Sequence, residues 1–415
     1  MVINLGEQMK NKPKEVRLRH HLMTRFLVPF VRIFIQRSYK LKIKNYKALK
    51  NKGPFVVLAN HTVNVDPMVM GLHFPFHLYY IATEQVFNLG FLSKILKFIV
   101  NPIKKSKSVS DMETIRKTKR IVQAGGSIGI FPEGNTSYNG ETTIIQKSTV
   151  KLIRMLKIPV IIINMKGFYL SYPRWSIYRK KGKTASYIKK IMLPDDYLKL
   201  TEDALYEILK NELYVNAYDD QEKSGHLYRG KKIAHGLEKL IFIDLKTGEP
   251  FVTYSENDKL KSKNSDFSLV YLPTGKVITN EGEETNLIEL DHQVKKKYFE
   301  FYQATNKVQL FEESVFLNQS FATHKVKLGQ YKLILHKDAI ELSNHANKYN
   351  WHFDDISDIA IQGKFQIIIY RDYDTYIIRL DKYSSPYKYI LTLQYYRYIK
   401  KGGTLFNDNN NNFGI

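Results

Sequence analysis

The chain of 415 residues contains no cysteine. It therefore forms no disulfide and offers no thiolate to a metal, which points to a reducing compartment. It also lacks a run of about 18 apolar residues, the length a helix needs to cross a bilayer. The nearest approach, HLMTRFLVPFVRIFI, is broken by Arg25 and Arg32 and followed by Arg37, and it starts too late to read as a cleavable signal. No P-loop and no dinucleotide-binding glycine pattern occurs, so two common ways of cradling a nucleotide are excluded. Acidic residues are scarce: 40 Asp and Glu stand against 64 Lys and Arg, a formal charge of +24. Such a surplus implies an anionic partner, either nucleic acid or a negatively charged lipid surface.

The distribution of charge favours lipid. Residues 1–50 carry thirteen Lys or Arg against Glu7 and Glu15, and they surround the apolar stretch just described. This reads as a basic amphipathic segment over residues 1–45, lying in a membrane interface with its arginines reaching the headgroups. A second basic run, PRWSIYRKKGKTASYIKK, holds seven cations from Arg174 to Lys190 and no acid. Trp175 and Tyr178 sit in it, as aromatic residues do at a lipid interface; the plainer reading is a solvated surface. No nucleic-acid-binding motif accompanies the charge.

Two short segments carry the chemistry. NHTVNVDP places His61 just after the buried-strand pattern PFVVLAN, with Asp66 five positions on and Pro67 where a helix can begin. A histidine at a strand end, oriented by a carboxylate, can take a proton from a hydroxyl. Seventy residues later the chain reads SIGIFPEGNTS, again a strand running into a turn. Either segment alone is weak, since a His–Asp pair at this spacing arises readily by chance. Their order and context make them a candidate site for acyl transfer to an alcohol.

At these residues the sequence resembles the glycerolipid acyltransferase family, whose best-known members acylate lysophosphatidic acid. The resemblance covers about residues 45–200. NHTVNVDP matches the family's His-x4-Asp block and implies His61 as general base, Asp66 as its orienting partner and Asn60 at the site's edge. FPEGNTS matches the FPEG block and implies an acceptor side formed by Phe131, Pro132, Glu133 and Gly134, with Asn135, Thr136 and Ser137 following. KIPVIIINMKG matches a further block, in which Pro159 opens a buried strand walling the pocket. For Glu133 two readings stay open, holding acceptor hydroxyls or capping a helix N-terminus. The family usually has one arginine in a block where this chain has Lys104 and Lys105, and another where it has Thr136. Lysine offers a point charge and threonine only a hydroxyl, so phosphate would be gripped less well than by arginine's bidentate fork.

The resemblance implies a membrane-associated O-acyltransferase without metal or organic cofactor. Acyl-CoA, acyl carrier protein or acyl phosphate would be the donor and a lysophospholipid, by default 1-acyl-glycerol-3-phosphate, the acceptor. The expected partners are anionic membrane lipids, the lysophospholipid and acyl carrier protein, with no nucleic acid, at the cytoplasmic face of the cell membrane. A glycolipid or other phosphate-free acceptor, and an inactive lipid-binding scaffold, are the alternatives.

The expected fold is an α/β acyltransferase domain, a mixed sheet flanked by helices, over residues 46–200, followed by mainly β modules. Residues 201–235 read as a helical linker with Leu205, Ile208, Leu209 and Leu213 at helical spacing. Residues 236–290 read as hairpins and resemble a zinc ribbon, whose two cysteine pairs would fall near Asp244 and Thr247 and near Lys261 and Asn264. Many strands and a closing helix over 306–400 resemble a pleckstrin-homology-like barrel, a docking module in which His336, His345 and His352 are surface or turn residues. The asparagine-rich end, 401–415, is expected to be disordered.

Overall fold

The computed structural model describes residues 16–406, except 45, 51, 84–86, 88–90, 106–111, 322–323 and 372–373. The described chain falls into two compact units. The first holds residues up to Ser137, then Glu141–Ser171 and Gly182–Asp220; the second holds Tyr138–Gly140, Tyr172–Lys181 and everything from Gln221.

The first unit is built on a seven-stranded mixed sheet ordered β1-β7-β6-β2-β5-β3-β4. Its strands are β1 (Leu41–Ile43), β2 (Val56–Ala59), β3 (Leu78–Thr83), β4 (Ile103–Lys105), β5 (Ser127–Ile130), β6 (Val160–Lys166) and β7 (Thr184–Met192). Every pairing is parallel except β6 with β7. Parallel strands covered on both faces read as unbroken apolar runs, and all four residues of β2 and of β5 are buried. One face packs against the helices Met112–Gln123, Lys147–Leu156 and Glu202–Leu213, where Val56, Leu58, Ile128, Ile162, Ile121, Ile153, Leu205 and Leu209 share one core.

Two sequence expectations are corrected here. The helix Glu202–Leu213 is part of the first unit's core and not a linker, because Leu205, Leu209 and Leu213 form one fully buried stripe. Each such leucine contributes about 1.5–3 kcal/mol by burial. The sheet also begins at Leu41, inside the segment read as membrane-binding, since β1 pairs with β7.

That segment forms the helix Leu18–Tyr39; residues 1–15 lie outside the described residues. Leu18, Leu22, Phe26, Phe30, Ile33 and Phe34 are 52–63% exposed along it, while His20, Ile35 and Tyr39 are buried. Arg32 does not extend to solvent: its Nη2 donates to the Leu72 carbonyl at 2.7 Å. No described helix is long and apolar enough to cross a membrane.

The second basic run does not form one surface. Trp175 and Lys180 are fully buried in the second unit, Tyr178 is exposed, and Lys189 and Lys190 on β7 both pair with Glu212. Trp175 is thus a core residue and not an interfacial anchor.

In the second unit, β8 (Thr253–Glu256), β9 (Lys259–Ser262), β10 (Ser268–Tyr271), β11 (Val277–Thr279) and β12 (Glu284–Thr285) form an antiparallel sheet in sequence order. Beside it the carboxylate of fully buried Asp244 accepts from the main-chain N–H groups of Lys246 (2.8 Å) and Thr247 (3.0 Å) and from the Ser265 hydroxyl. Ser262 also bonds it, so the pair facing Asp244 is Ser262 and Ser265, one residue beyond the Lys261 and Asn264 expected. These hydrogen bonds tie the turn after Asp244 to the turn at Ser262–Ser265.

The helix Leu287–Ala304, capped by Asn286, leads into a seven-stranded antiparallel sheet. This comprises β13 (Gln309–Ser320), β14 (Lys325–His336), β15 (Ala339–Ser343), β16 (Lys348–His352), β17 (Asp358–Gln362), β18 (Gln366–Arg371) and β19 (Asp374–Arg379). The closing helix is Tyr387–Lys400. Residues 401–406, expected to be disordered, pack on the second unit, where the Leu405 carbonyl accepts from Tyr398 Oη at 2.8 Å and the Thr404 carbonyl from Gln303 Nε2 at 3.0 Å; 407–415 lie outside the described residues.

Candidate active site

Because β2 and β5 are adjacent and parallel, their carboxyl ends open side by side. The loops leaving them bring His61 and Phe131 together, with the two rings stacked at 4.3 Å between centroids. This is where an open parallel sheet ordinarily places a ligand site.

Asp66 starts the helix Asp66–Gly71, with Pro67 at its first turn as the sequence predicts. Its side chain is fully buried and turns back over the loop. Oδ2 accepts from His61 Nδ1 (2.9 Å) and from the main-chain N–H groups of Thr62 (2.5 Å) and Val63 (2.8 Å). A carboxylate only accepts, so Nδ1 carries the imidazole proton and Nε2 is the free base. His61 retains 19% side-chain exposure, enough for a hydroxyl to approach.

The neighbours of this dyad fix its place. Tyr80 Oη donates to the Pro67 carbonyl at 2.6 Å, anchoring the start of the Asp66 helix. A Cβ on Gly129 would lie 2.7 Å from the Tyr80 ring and 3.2 Å from Met70 Sδ, so only glycine lets that helix sit so close to β5. Neither Tyr80 nor Gly129 stands out in the sequence, because their roles are contacts across the fold.

Glu133 does neither of the two things expected of it. Its Oε1 accepts from the main-chain N–H of His61 (2.6 Å), and its Oε2 accepts from Thr143 N (2.9 Å) and Thr143 Oγ1 (3.2 Å). It is a buried brace between the loop of the histidine and the loop after FPEG. Burial pushes its carboxyl up to about 8, against the pull of those three donors.

Asn60, expected at the substrate, is also a brace: its amide donates to the Met165 carbonyl (3.0 Å) and accepts from Met165 N (2.8 Å), tying β2 to β6. Pro159 precedes β6, and its carbonyl accepts from Val56 N at 3.0 Å. Ser137 N donates to the His61 carbonyl at 3.0 Å, and Ser137 and Thr136 are both buried. Pro132 is buried and its carbonyl accepts from Gln146 N, while Gly134 is exposed with φ of 77° and Asn135 is half-buried.

Of the two lysines, Lys104 is exposed, whereas Lys105 Nζ donates to Gln146 Oε1 at 2.7 Å. Gln146 also lies against Gly134, where a Cβ would come within 2.9 Å of its Nε2. Lys105 therefore stands beside the FPEG turn through Gln146, a residue the sequence does not single out. Among the described residues no group of three or more His, Asp or Glu is placed to hold a metal.

An acyltransferase family model matches residues 40–166, which contain this constellation. Among curated proteins, the 1-acyl-sn-glycerol-3-phosphate acyltransferase of Borreliella burgdorferi is 22% identical over 139 residues, 32% of this chain and 54% of that protein. The Saccharomyces cerevisiae protein of the same name is 23% identical over 167 residues, 38% of this chain and 52% of that protein. The chain thus spans about half the length of these relatives. A solved structure of the 1-acyl-sn-glycerophosphate acyltransferase PlsC from Thermotoga maritima aligns with 50% of this chain and 84% of that one, at 16% identity and a TM-score of 0.40. Residues 40–166 thus match the acyltransferase family model, and their sequence blocks resemble those of its glycerolipid group.

Proposed function

We propose that the first unit transfers a fatty acyl group from an acyl thioester or acyl phosphate to the free hydroxyl of a lysophospholipid, with 1-acyl-glycerol-3-phosphate as the default acceptor. The observation that carries this reading is the His61–Asp66 pair, with Nδ1 engaged at 2.9 Å and Nε2 left as base. In this scheme Nε2 takes the acceptor's hydroxyl proton as the oxygen attacks the carbonyl carbon. Asp66 stabilises the imidazolium through Nδ1–H. Collapse of the tetrahedral intermediate breaks the bond to the leaving thiolate or phosphate, and the imidazolium returns its proton to that group. The names of the relatives support the lysophosphatidate acceptor, and Lys105 beside the FPEG turn supplies a cation for its phosphate.

The same reading places the protein on a membrane surface, at the cytoplasmic face. Six exposed apolar side chains along Leu18–Tyr39, flanked by exposed Arg25 and Arg37, support binding to anionic lipid. We read the second unit's seven-stranded sheet and closing helix as a pleckstrin-homology-like docking module. Acyl carrier protein, being acidic, suits the basic surface as a donor partner.

The test is acyl transfer by the full chain on anionic vesicles, with labelled acyl-CoA, acyl carrier protein or acyl phosphate and a panel of lysolipids, beside His61→Ala. Transfer to lysophosphatidate that vanishes in the variant supports the reading. Transfer confined to phosphate-free acceptors keeps the chemistry and moves the substrate. Vesicle binding without any transfer leaves the lipid-binding scaffold.

A further inference from the structure

The second unit gathers cations far in excess of the acids around them. Lys364 Nζ donates to the carbonyls of Pro173 (2.9 Å) and Ser176 and lies 3.3 Å from the Tyr172 ring centroid. Lys180 Nζ donates to Ser176 Oγ at 3.1 Å and lies 4.4 Å from the Trp175 ring. Arg174 donates through Nε and Nη2 to the carbonyls of Gly363 and Ile361. Lys239 is fully buried beside Phe365, its Nζ 4.5 Å from that ring. Gly236 leaves room for it, since a Cβ there would come within 3.0 Å of Lys239 Cε and would clash with the Trp175 carbonyl. The short stretch Pro173–Ser176 thus accepts from Lys180 and Lys364, and its own Arg174 reaches back to the turn that carries Lys364.

Two donors in this cluster have no hydrogen-bond acceptor among the described residues: Lys239 Nζ and Arg174 Nη1, both buried. The acids that act on Lys239 are Glu238, buried beside it, and exposed Asp381. Burial first, and then repulsion from Lys239, Lys180, Arg179 and Arg174, hold Lys364 down to about 6. Glu238 supplies Lys239 with a neighbouring acid but with no hydrogen-bond acceptor, and proteins ordinarily satisfy the donors of a buried ammonium.

We propose that the Arg174, Lys180, Lys239 and Lys364 cluster of the second unit is a binding site for a phosphate-type oxyanion. Arg and Lys are donors only, and a tetrahedral oxyanion is the ligand that accepts from several of them at once. Half-buried Arg174 and Lys364 and exposed Arg179 give it a route in from solvent. The shared chemistry is a phosphate group, carried either free in solution or on a lipid headgroup. This site is separate from the acyl-transfer chemistry and does not rest on it.

The experiment is thermal unfolding of the full chain against inorganic phosphate, with chloride at matched ionic strength as reference. A parallel titration uses dibutyryl phosphatidate as a soluble lipid phosphate. Ligand that binds the folded state raises the melting temperature progressively with concentration. The expected result is a rise with at least one of the two, and an apparent affinity weakened roughly tenfold or more in Lys239→Met and again in Lys364→Met. Lys348→Met, an exposed control on β16, should keep the full response. A response to phosphatidate alone assigns the headgroup as source, and a response to both assigns the phosphate itself. No rise beyond chloride with either ligand overturns the proposal. A rise that persists in both cluster variants overturns it equally, and Lys364→Met keeps the test decisive should Lys239→Met fail to fold.

Discussion

Glu133 accepts the main-chain N–H of His61 at 2.6 Å, so the candidate base is fixed through its backbone by one carboxyl group and through its ring by the Asp66 carboxylate. Asp66 sets the tautomer; Glu133 sets where the loop stands. Replacing Glu133 by Gln puts an amide N–H₂ against either the His61 or the Thr143 donor. Turnover is expected to fall about 10- to 100-fold with little change in KM, because a displaced base still leaves the substrate contacts in place. Unchanged turnover would show that the brace is idle.

Titration of Glu133 gives a second expectation. Its folded pKa is raised to about 8 from 4.5, so the folded chain holds a proton that the unfolded chain has lost between those values. Its contribution to stability is complete below pH 4.5 and disappears as pH rises to 8, with a slope of at most about 1.4 kcal/mol per pH unit. Denaturant unfolding of Glu133→Gln, compared with the natural chain at pH 5 and pH 8, should show the natural chain losing ground to the variant as pH rises.

Three buried histidines act with the opposite sign. Burial lowers His20 to about 4, His73 to about 4 and His77 to about 3. The unfolded chain protonates them near 6.5, so their contribution is complete above that value and is lost as pH falls toward 4 and 3. Together with Glu133 this puts the stability maximum at pH ~6. A steady rise in stability down to pH 4 would contradict these environments.

Asp244 is the acceptor shared by two turns of the second unit. Asp244→Ala leaves two main-chain N–H groups and the Ser262 and Ser265 hydroxyls without their acceptor. A loss of about 2–3 kcal/mol in unfolding free energy is expected, while a chelator should leave the natural chain's melting temperature unchanged.

Membrane docking through Leu18–Tyr39 predicts that Phe26→Asp with Phe30→Asp weakens binding to anionic vesicles at least about tenfold, by removing buried apolar area from the bound state. Both side chains are over 60% exposed, so the melting temperature in solution should hardly move. Equal vesicle binding would assign the interface elsewhere.

What the sequence reveals about this protein is whatever lies close together along it. His61 and Asp66 share one strand-to-helix loop, and the apolar runs of β2, β5 and β6 announce a buried sheet. Glu133 is different, since its partner is a backbone N–H 72 positions away, which residue type does not disclose. Asn60 likewise bonds the main chain of Met165, on a neighbouring strand. Trp175 and Lys180 read as surface because basic residues surround them in sequence, yet both fold into the second unit's core, where Lys180 lies over the Trp175 and Tyr271 rings. The stripe Leu205–Leu209–Leu213 is legible as a helix; the sheet that it covers is not.

The most direct measurement of the central claim is single-turnover acyl transfer on anionic vesicles, comparing the natural chain with His61→Ala and Asp66→Asn at equal amounts of vesicle-bound protein. Asn at 66 keeps the shape but no longer demands a proton on Nδ1. The account predicts that His61→Ala abolishes transfer and that Asp66→Asn slows it about 10²- to 10⁴-fold, with binding to vesicles intact in both. Transfer by His61→Ala at the rate of the natural chain would contradict the account.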